Sequence, residues 1–86
     1  MNRSRIQMTM DVLDAVRKGH HRITRIMYKT NLSWLPLTKI LDSLVKSELI
    51  EMQSIRKRRT VHREYHITEK GRAVLDHYMA ISEALQ

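Results

Sequence analysis

The period of the apolar residues changes twice along this chain, and those two changes limit what it can fold into. Up to about residue 47 the apolar positions recur at helical spacing. Over 60–67 the side chains alternate with period two, Val61, Tyr65 and Ile67 sharing one side with Arg63, and from residue 69 the helical spacing returns. Ile6, Met10, Leu13 and Val16 predict a first helix over residues 4–18, with Met8, Val12 and Ala15 as a second, weaker strip. Gly19 follows Arg17 and Lys18, where a helix-ending glycine belongs. Residues 23–30 predict a short second helix with Ile23, Ile26 and Met27 inward. Arg22, Arg25 and Lys29 then share an outer stripe. After the turn Asn31-Leu32-Ser33, Ser33 is placed to cap a third helix that runs to about Ser47.

Pro36 does not break that third helix. It falls at the third helical position, where the missing N–H had no partner to lose. Leu37, Ile40, Leu41 and Leu44 form its buried face. The opposite face carries Leu35, Lys39, Asp42, Ser43 and Lys46, with Thr38 at the border. Trp34, at the start of this helix, is expected to pack against the neighbouring elements.

Residues 49–55 and 60–67 predict two strands. In the second, Val61, Arg63, Tyr65 and Ile67 lie on one side and His62, Glu64 and His66 on the other. Arg56-Lys57-Arg58-Arg59 lies between the strands, which predicts a hairpin with a basic tip. Thr68 then caps a last helix over 69–85. Its stripe of Val74, Leu75, Tyr78, Met79, Ile81 and Leu85 spans about 160°, wider than one packing contact needs. Leu75 and Met79 are assigned to the core. Tyr78, Ile81 and Leu85 are assigned to a partner helix in a homodimer, joined by Met8 and Val12 of the first helix. Gly71, in the first turn of the last helix, points to close packing on the hairpin, because a glycine there otherwise costs about 1 kcal/mol.

The order helix-helix-helix-strand-strand-helix is mainly α with a small β-hairpin, an α+β arrangement. It is that of a winged helix-turn-helix filling residues 1–86 as a single domain. In such a unit the third helix enters the major groove of DNA and the hairpin is the wing.

Charge supports that reading. The chain carries a net +7, concentrated in two stretches. Residues 1–30 hold seven basic and two acidic groups, and residues 56–72 again hold seven and two. A concentrated positive field attracts a polyanion. The candidate DNA contacts are Arg22, Arg25 and Lys29 on the second helix, Thr38, Lys39, Ser43 and Lys46 on the third, and Arg56, Lys57, Arg58, Arg59 and Arg63 on the wing. The third helix is nearly neutral, so affinity is expected to come mainly from the wing and the second helix.

Three segments carry a family resemblance. They are Ile23-Thr24-Arg25-Ile26-Met27-Tyr28-Lys29-Thr30-Asn31-Leu32-Ser33, the stretch from Leu41 to Ile50, and Tyr65-His66-Ile67-Thr68-Glu69-Lys70-Gly71-Arg72. Together they resemble the archaeal winged-helix group that includes the Sulfolobus 10a-type chromatin proteins and many short regulators. The resemblance implies DNA binding and a homodimer made through the last helix. Here that helix stops near Leu85, shorter than the coiled-coil helix of the 10a type. Ser47 stands where many relatives have glycine.

Several classes of function are not expected. The chain has no cysteine, so disulfides and thiolate metal sites are excluded. His62 and His66 are four apart on a strand, roughly 13 Å along the backbone, and His20 and His21 have no evident third partner. Neither a phosphate-cradling glycine loop nor a carboxylate pair in a recognisable pocket is present, so no enzyme, cofactor or small-molecule ligand is expected. No apolar run approaches a membrane span. Asp11 and Asp14 interrupt what would be a signal-peptide core after Arg3 and Arg5. These features predict a cytoplasmic, nucleoid-associated protein whose partner is double-stranded DNA. The alternatives are a protein-interaction winged helix with an acidic partner, and RNA binding. The strands lack the paired aromatics that stack single-stranded bases.

Overall fold

A computed structural model describes residues 3–86. Helix α1 (Arg5–Arg17) opens on a capping box. The Ser4 hydroxyl accepts from the Gln7 N–H, and the Gln7 side chain accepts from the Ser4 N–H. It closes at Gly19, whose φ of 102° turns the chain. Gly19 N–H donates to the Val16 carbonyl and His20 N–H to the Ala15 carbonyl. Helix α2 (Ile23–Thr30) ends on Asn31, the non-glycine type most tolerant of the left-handed conformation it adopts, φ 57°.

Helix α3 (Trp34–Lys46) has Ser33 at its N-cap position, but the serine side chain makes no capping hydrogen bond. Its C-terminus repeats the bonding of α1. Glu48 N–H donates to Val45 and Leu49 N–H to Leu44. The left-handed residue there is Glu48, φ 62°, one position after Ser47.

Strand β1 (Ile50–Lys57) pairs antiparallel with β2 (Thr60–Ile67), in register from Ile50 opposite Ile67 to Lys57 opposite Thr60. The first strand is longer than the predicted 49–55, so Arg56 and Lys57 belong to the ladder. Only Arg58 and Arg59 make the turn. Helix α4 (Glu69–Ala84) follows, with the Thr68 side chain accepting from Gly71 N–H at 2.9 Å and donating to the Glu48 carbonyl at 2.7 Å. A Cβ at position 71 would run into the Leu49 carbonyl oxygen and the Ile67 side chain, which is why glycine stands there. The sequence and this packing agree.

Every element feeds one core cluster: five residues of α1, Ile26 of α2, Leu32 of the turn, the four expected leucine and isoleucine positions of α3, Ile50, Tyr65 and Leu75. Two sequence-based assignments on α1 change. Val12 is completely buried, so it has no surface to offer a dimer partner, and Ala15 is buried beside it. Ile6, expected inside, is 57% exposed. The helix is covered by α2, α3, α4 and β2, so its buried surface is broader than a single stripe. On α4 the roles of two neighbours are exchanged. Tyr78 packs partly buried against the core, while Met79 is 41% exposed beside the Arg17 guanidinium. Ile81 and Leu85 are exposed, and Met8 packs partly buried at the core edge. Among the described residues, no helix is long and apolar enough to cross a membrane.

Candidate nucleic-acid interface

The hairpin is fixed to the rest of the molecule at its base. Tyr65 N–H donates to the His21 carbonyl at 2.8 Å, and His21 Nδ1 lies 2.8 Å from the Tyr65 carbonyl oxygen. The His21 ring also stacks on His66, centroids 4.0 Å apart and planes 28° from parallel. The loop between α1 and α2 thus holds β2 against the start of α2.

Glu64 lies between two histidines on the same strand face, with its carboxylate 3.1 Å from His66 Nε2 and 3.3 Å from His62 Nε2. Hydrogen bonds from His66 and then His62 hold the Glu64 carboxyl below its ordinary pKa. The imidazoles therefore converge on one carboxylate more closely than their backbone spacing suggested. Among the described residues, no group of three or more histidine or acidic side chains is placed to hold a metal ion.

Strand register divides the basic run. Residues directly opposite each other in an antiparallel ladder share a face. Tyr65, Arg63 and Val61 therefore lie with Met52, Ser54 and Arg56 on one face. His66, Glu64 and His62 lie with Glu51, Gln53 and Ile55 on the other, which Lys57 and Thr60 continue. Arg58, with φ 55°, and Arg59 form the tip. Positive φ at the first position of a two-residue turn is the pattern of a type II′ hairpin, where glycine is the usual residue.

The first face closes a cleft against α3. Lys39, Asp42, Ser43 and Lys46 of α3 meet Arg63 of the wing there, and Arg5 of α1 joins them. A smaller cleft beside it brings together Trp34, Thr38, Asp42 and Arg63. The other hairpin face, with Lys57, forms a groove with Arg22 and Arg25. Of the predicted contacts, Lys29 is set apart: it lines a groove on the α1 side with Asp11 and Asp14. Arg56, Arg58 and Arg59 are exposed but line none of these clefts. Arg5 was not anticipated, and only the packing of α1 beside α3 reveals it. Trp34, expected to pack inward, is 56% exposed.

Ion pairs are segregated. Among the described residues, carboxylates pair with Lys or Arg at Arg3–Asp11, Arg17–Asp14, Arg17–Asp76 and Lys18–Asp14, all on α1 and α4 or immediately flanking α1. None of the predicted lysine and arginine contacts on α2, α3 and the wing has such a partner.

The model of the winged helix-turn-helix family matches residues 2–86. This chain belongs to the winged helix-turn-helix family. The winged helix resembles Sso10a-2, a DNA-binding protein from Sulfolobus solfataricus, with a TM-score of 0.74 and 26% identity over 96% of this chain and 85% of that one. A PadR-like transcription factor from Bacteroides fragilis has the same fold, with a TM-score of 0.86, 16% identity, and coverage of 94% and 84%. A putative transcription factor from Pseudomonas aeruginosa matches at a TM-score of 0.67 and 27% identity, over 86% of this winged helix and 51% of that chain. An uncharacterized protein of Methanocaldococcus jannaschii is 27% identical over 70 residues, which are 81% of this chain and 64% of the relative's length.

Proposed function

We propose that this winged helix binds double-stranded DNA, as a transcriptional regulator or a chromatin-type protein, and has no catalytic role. The observation that carries the reading is the set of cations on α2, α3 and the wing with no carboxylate partner, while the ion pairs lie on and around α1 and α4. Exposed guanidinium and ammonium groups without a carboxylate partner suit phosphate, whose binding releases counterions. Helix α3 enters the major groove, with Thr38, Lys39, Ser43 and Lys46 toward the DNA. Arg63 and Arg56 hold the backbone beside it. Arg58 and Arg59 reach the flanking phosphates or minor groove, and Arg22, Arg25 and Lys57 grip a neighbouring backbone segment. Lys29 is the weakest of the proposed contacts, because acidic residues of α1 share its groove. The likeness to a DNA-binding protein and to transcription factors favours the same reading. Tyr65 is buried and the His66 ring is taken up by its stack on His21, which counts against a sheet platform for single-stranded bases.

Homodimerisation is part of the proposal. Ile81 and Leu85 leave an apolar edge on α4 exposed, bordered by Tyr78, and Met8 lies at the core edge on α1. Sedimentation at tens of micromolar is expected to show a species of twice the 10.3 kDa chain mass. A monomer alone sinks the dimer.

The test of DNA binding is fluorescence anisotropy on a duplex across a salt series. Steep weakening with salt is expected, and an Arg56/Lys57/Arg58/Arg59→Ala variant flattens the slope by about 0.9 for each phosphate it no longer neutralises. Folded protein that fails to bind at low salt overturns the reading and leaves an acidic protein partner for the basic surface. Tighter binding to duplex RNA in competition moves the assignment to RNA.

A further inference from the structure

The outward surface of α3 is divided along its length. Its second half presents Lys39, Asp42, Ser43 and Lys46. Its first half presents Trp34 at 56% exposure and Leu35 at 62%, with Thr38 half-buried behind them. Two large apolar side chains standing in water at the start of a helix gain by being covered. The side chains of the first turn offer few hydrogen-bond donors. Thr38 spends its hydroxyl hydrogen on the Leu35 carbonyl at 2.9 Å, which leaves its methyl. Pro36 has no N–H. Only the Trp34 indole N–H remains among these side chains.

In a helix-turn-helix the first residues of the recognition helix meet the base edges. The one apolar group on the major-groove edge of a base pair is the C5 methyl of thymine. On the DNA-binding reading proposed above, we infer that Trp34 and Leu35 read thymine methyl groups. Sequence preference then comes from apolar contact in the first turn of α3, while Lys39, Lys46 and Arg63 supply affinity through phosphate. Position supports the division. Trp34 lines the same cleft as Arg63, so it lies beside the residue expected on the backbone, and Asp42 in that cleft discourages phosphate from going deeper.

Removing or adding the methyl alone tests the inference. One arm compares an alternating A·T duplex with the same duplex carrying deoxyuridine for thymidine. The other compares a G·C duplex of B form with its 5-methylcytosine counterpart, which places a methyl at the same ring carbon. Anisotropy gives affinity, and Trp34, the single tryptophan, reports its own environment by emission. Binding is expected to weaken about fourfold for each thymine methyl removed and to tighten on cytosine methylation. Trp34 emission is expected to change on the thymine duplex. Leu35→Ala and Trp34→Ala, at exposed positions, are expected to lose the discrimination and keep the salt slope. Duplex binding with a normal salt slope, equal affinity for thymine and uracil, and unchanged Trp34 emission overturns the inference and leaves DNA binding standing. No duplex binding at low salt overturns both, and assigns the exposed Trp34–Leu35 pair to a protein contact.

Discussion

His21 and Tyr65 bond to each other in both directions. The Tyr65 N–H donates to the His21 carbonyl, and the His21 ring, through Nδ1–H, donates to the Tyr65 carbonyl, each at 2.8 Å. This exchange is the direct tie between the start of α2 and the base of the wing. His21→Ala leaves a half-buried carbonyl without its partner and removes the stack on His66. A loss of about 1–2 kcal/mol is expected from urea denaturation. Amide exchange in β2 is expected to quicken while the α3 amides stay protected.

The acid limb of stability is set by two carboxylates. Glu64 is held below its ordinary pKa by hydrogen bonds from His66 and His62. At Asp14 burial pushes upward, but hydrogen bonds from Lys18 and Arg17 outweigh it and lower the pKa. For a carboxyl depressed on folding, the stabilisation is present above the unfolded-state pKa and is lost as pH falls through the folded-state value. The melting temperature is therefore expected to fall as pH drops through and below the ordinary carboxylate range. Glu64→Gln and Asp14→Asn each make that fall shallower. An unchanged profile in both variants rules out this account.

Two helix ends with the same hydrogen bonds carry different residues. Gly19 closes α1 and Glu48 closes α3, both at positive φ. A non-glycine residue in the left-handed region costs about 1–2 kcal/mol. Glu48→Gly is expected to raise stability by about 1 kcal/mol, read as a shift in urea midpoint at constant slope. Gly19→Ala is expected to lower it by at least about 1 kcal/mol through backbone strain alone, since nothing lies within 4 Å of the added Cβ.

Gly71→Ala sets two effects against each other. Alanine favours a helix by about 1 kcal/mol over glycine. The added Cβ, however, meets the Leu49 carbonyl, backbone that cannot step aside without moving β1. Overpacking of this kind costs about 1–3 kcal/mol, so net destabilisation is expected in thermal unfolding.

Arg5 shares the α3–wing cleft with Lys39, Lys46 and Arg63. If it meets a phosphate there, Arg5→Ala lowers the slope of log affinity against log salt by about one, uniformly across DNA sequences. A slope equal to that of the unmodified protein removes Arg5 from the interface.

Much of this fold can be read from the chain because its elements are local. Apolar period and the capping residues Gly19 and Thr68 placed all four helices and both strands. What could not be read is tertiary. Val12 is buried because four elements surround α1, a fact no single stripe encodes. Tyr78 and Met79 exchange roles because the core ends near Leu75, and Tyr78 alone still reaches it. Arg56 and Lys57 are in the strand because pairing with Val61 and Thr60 fixes the turn at two residues. The site followed the same rule. Its basic residues could be named from composition, whereas the meeting of Arg5 with Arg63, and the isolation of Lys29, depend on how the elements pack.

The segregation of ion pairs has a kinetic consequence. The carboxylates that pair with lysine or arginine lie on α1 and α4, while the cations of α2, α3 and the wing have no such partner, so charge is unevenly spread over the molecule. On the proposed DNA-binding reading, the field of a polyanion exerts a torque on such a body and is expected to turn its wing and α3 forward before touching. Fewer collisions then arrive in the wrong orientation. Salt, which screens that field over a Debye length of about 10 Å at 0.1 M, is expected to slow arrival.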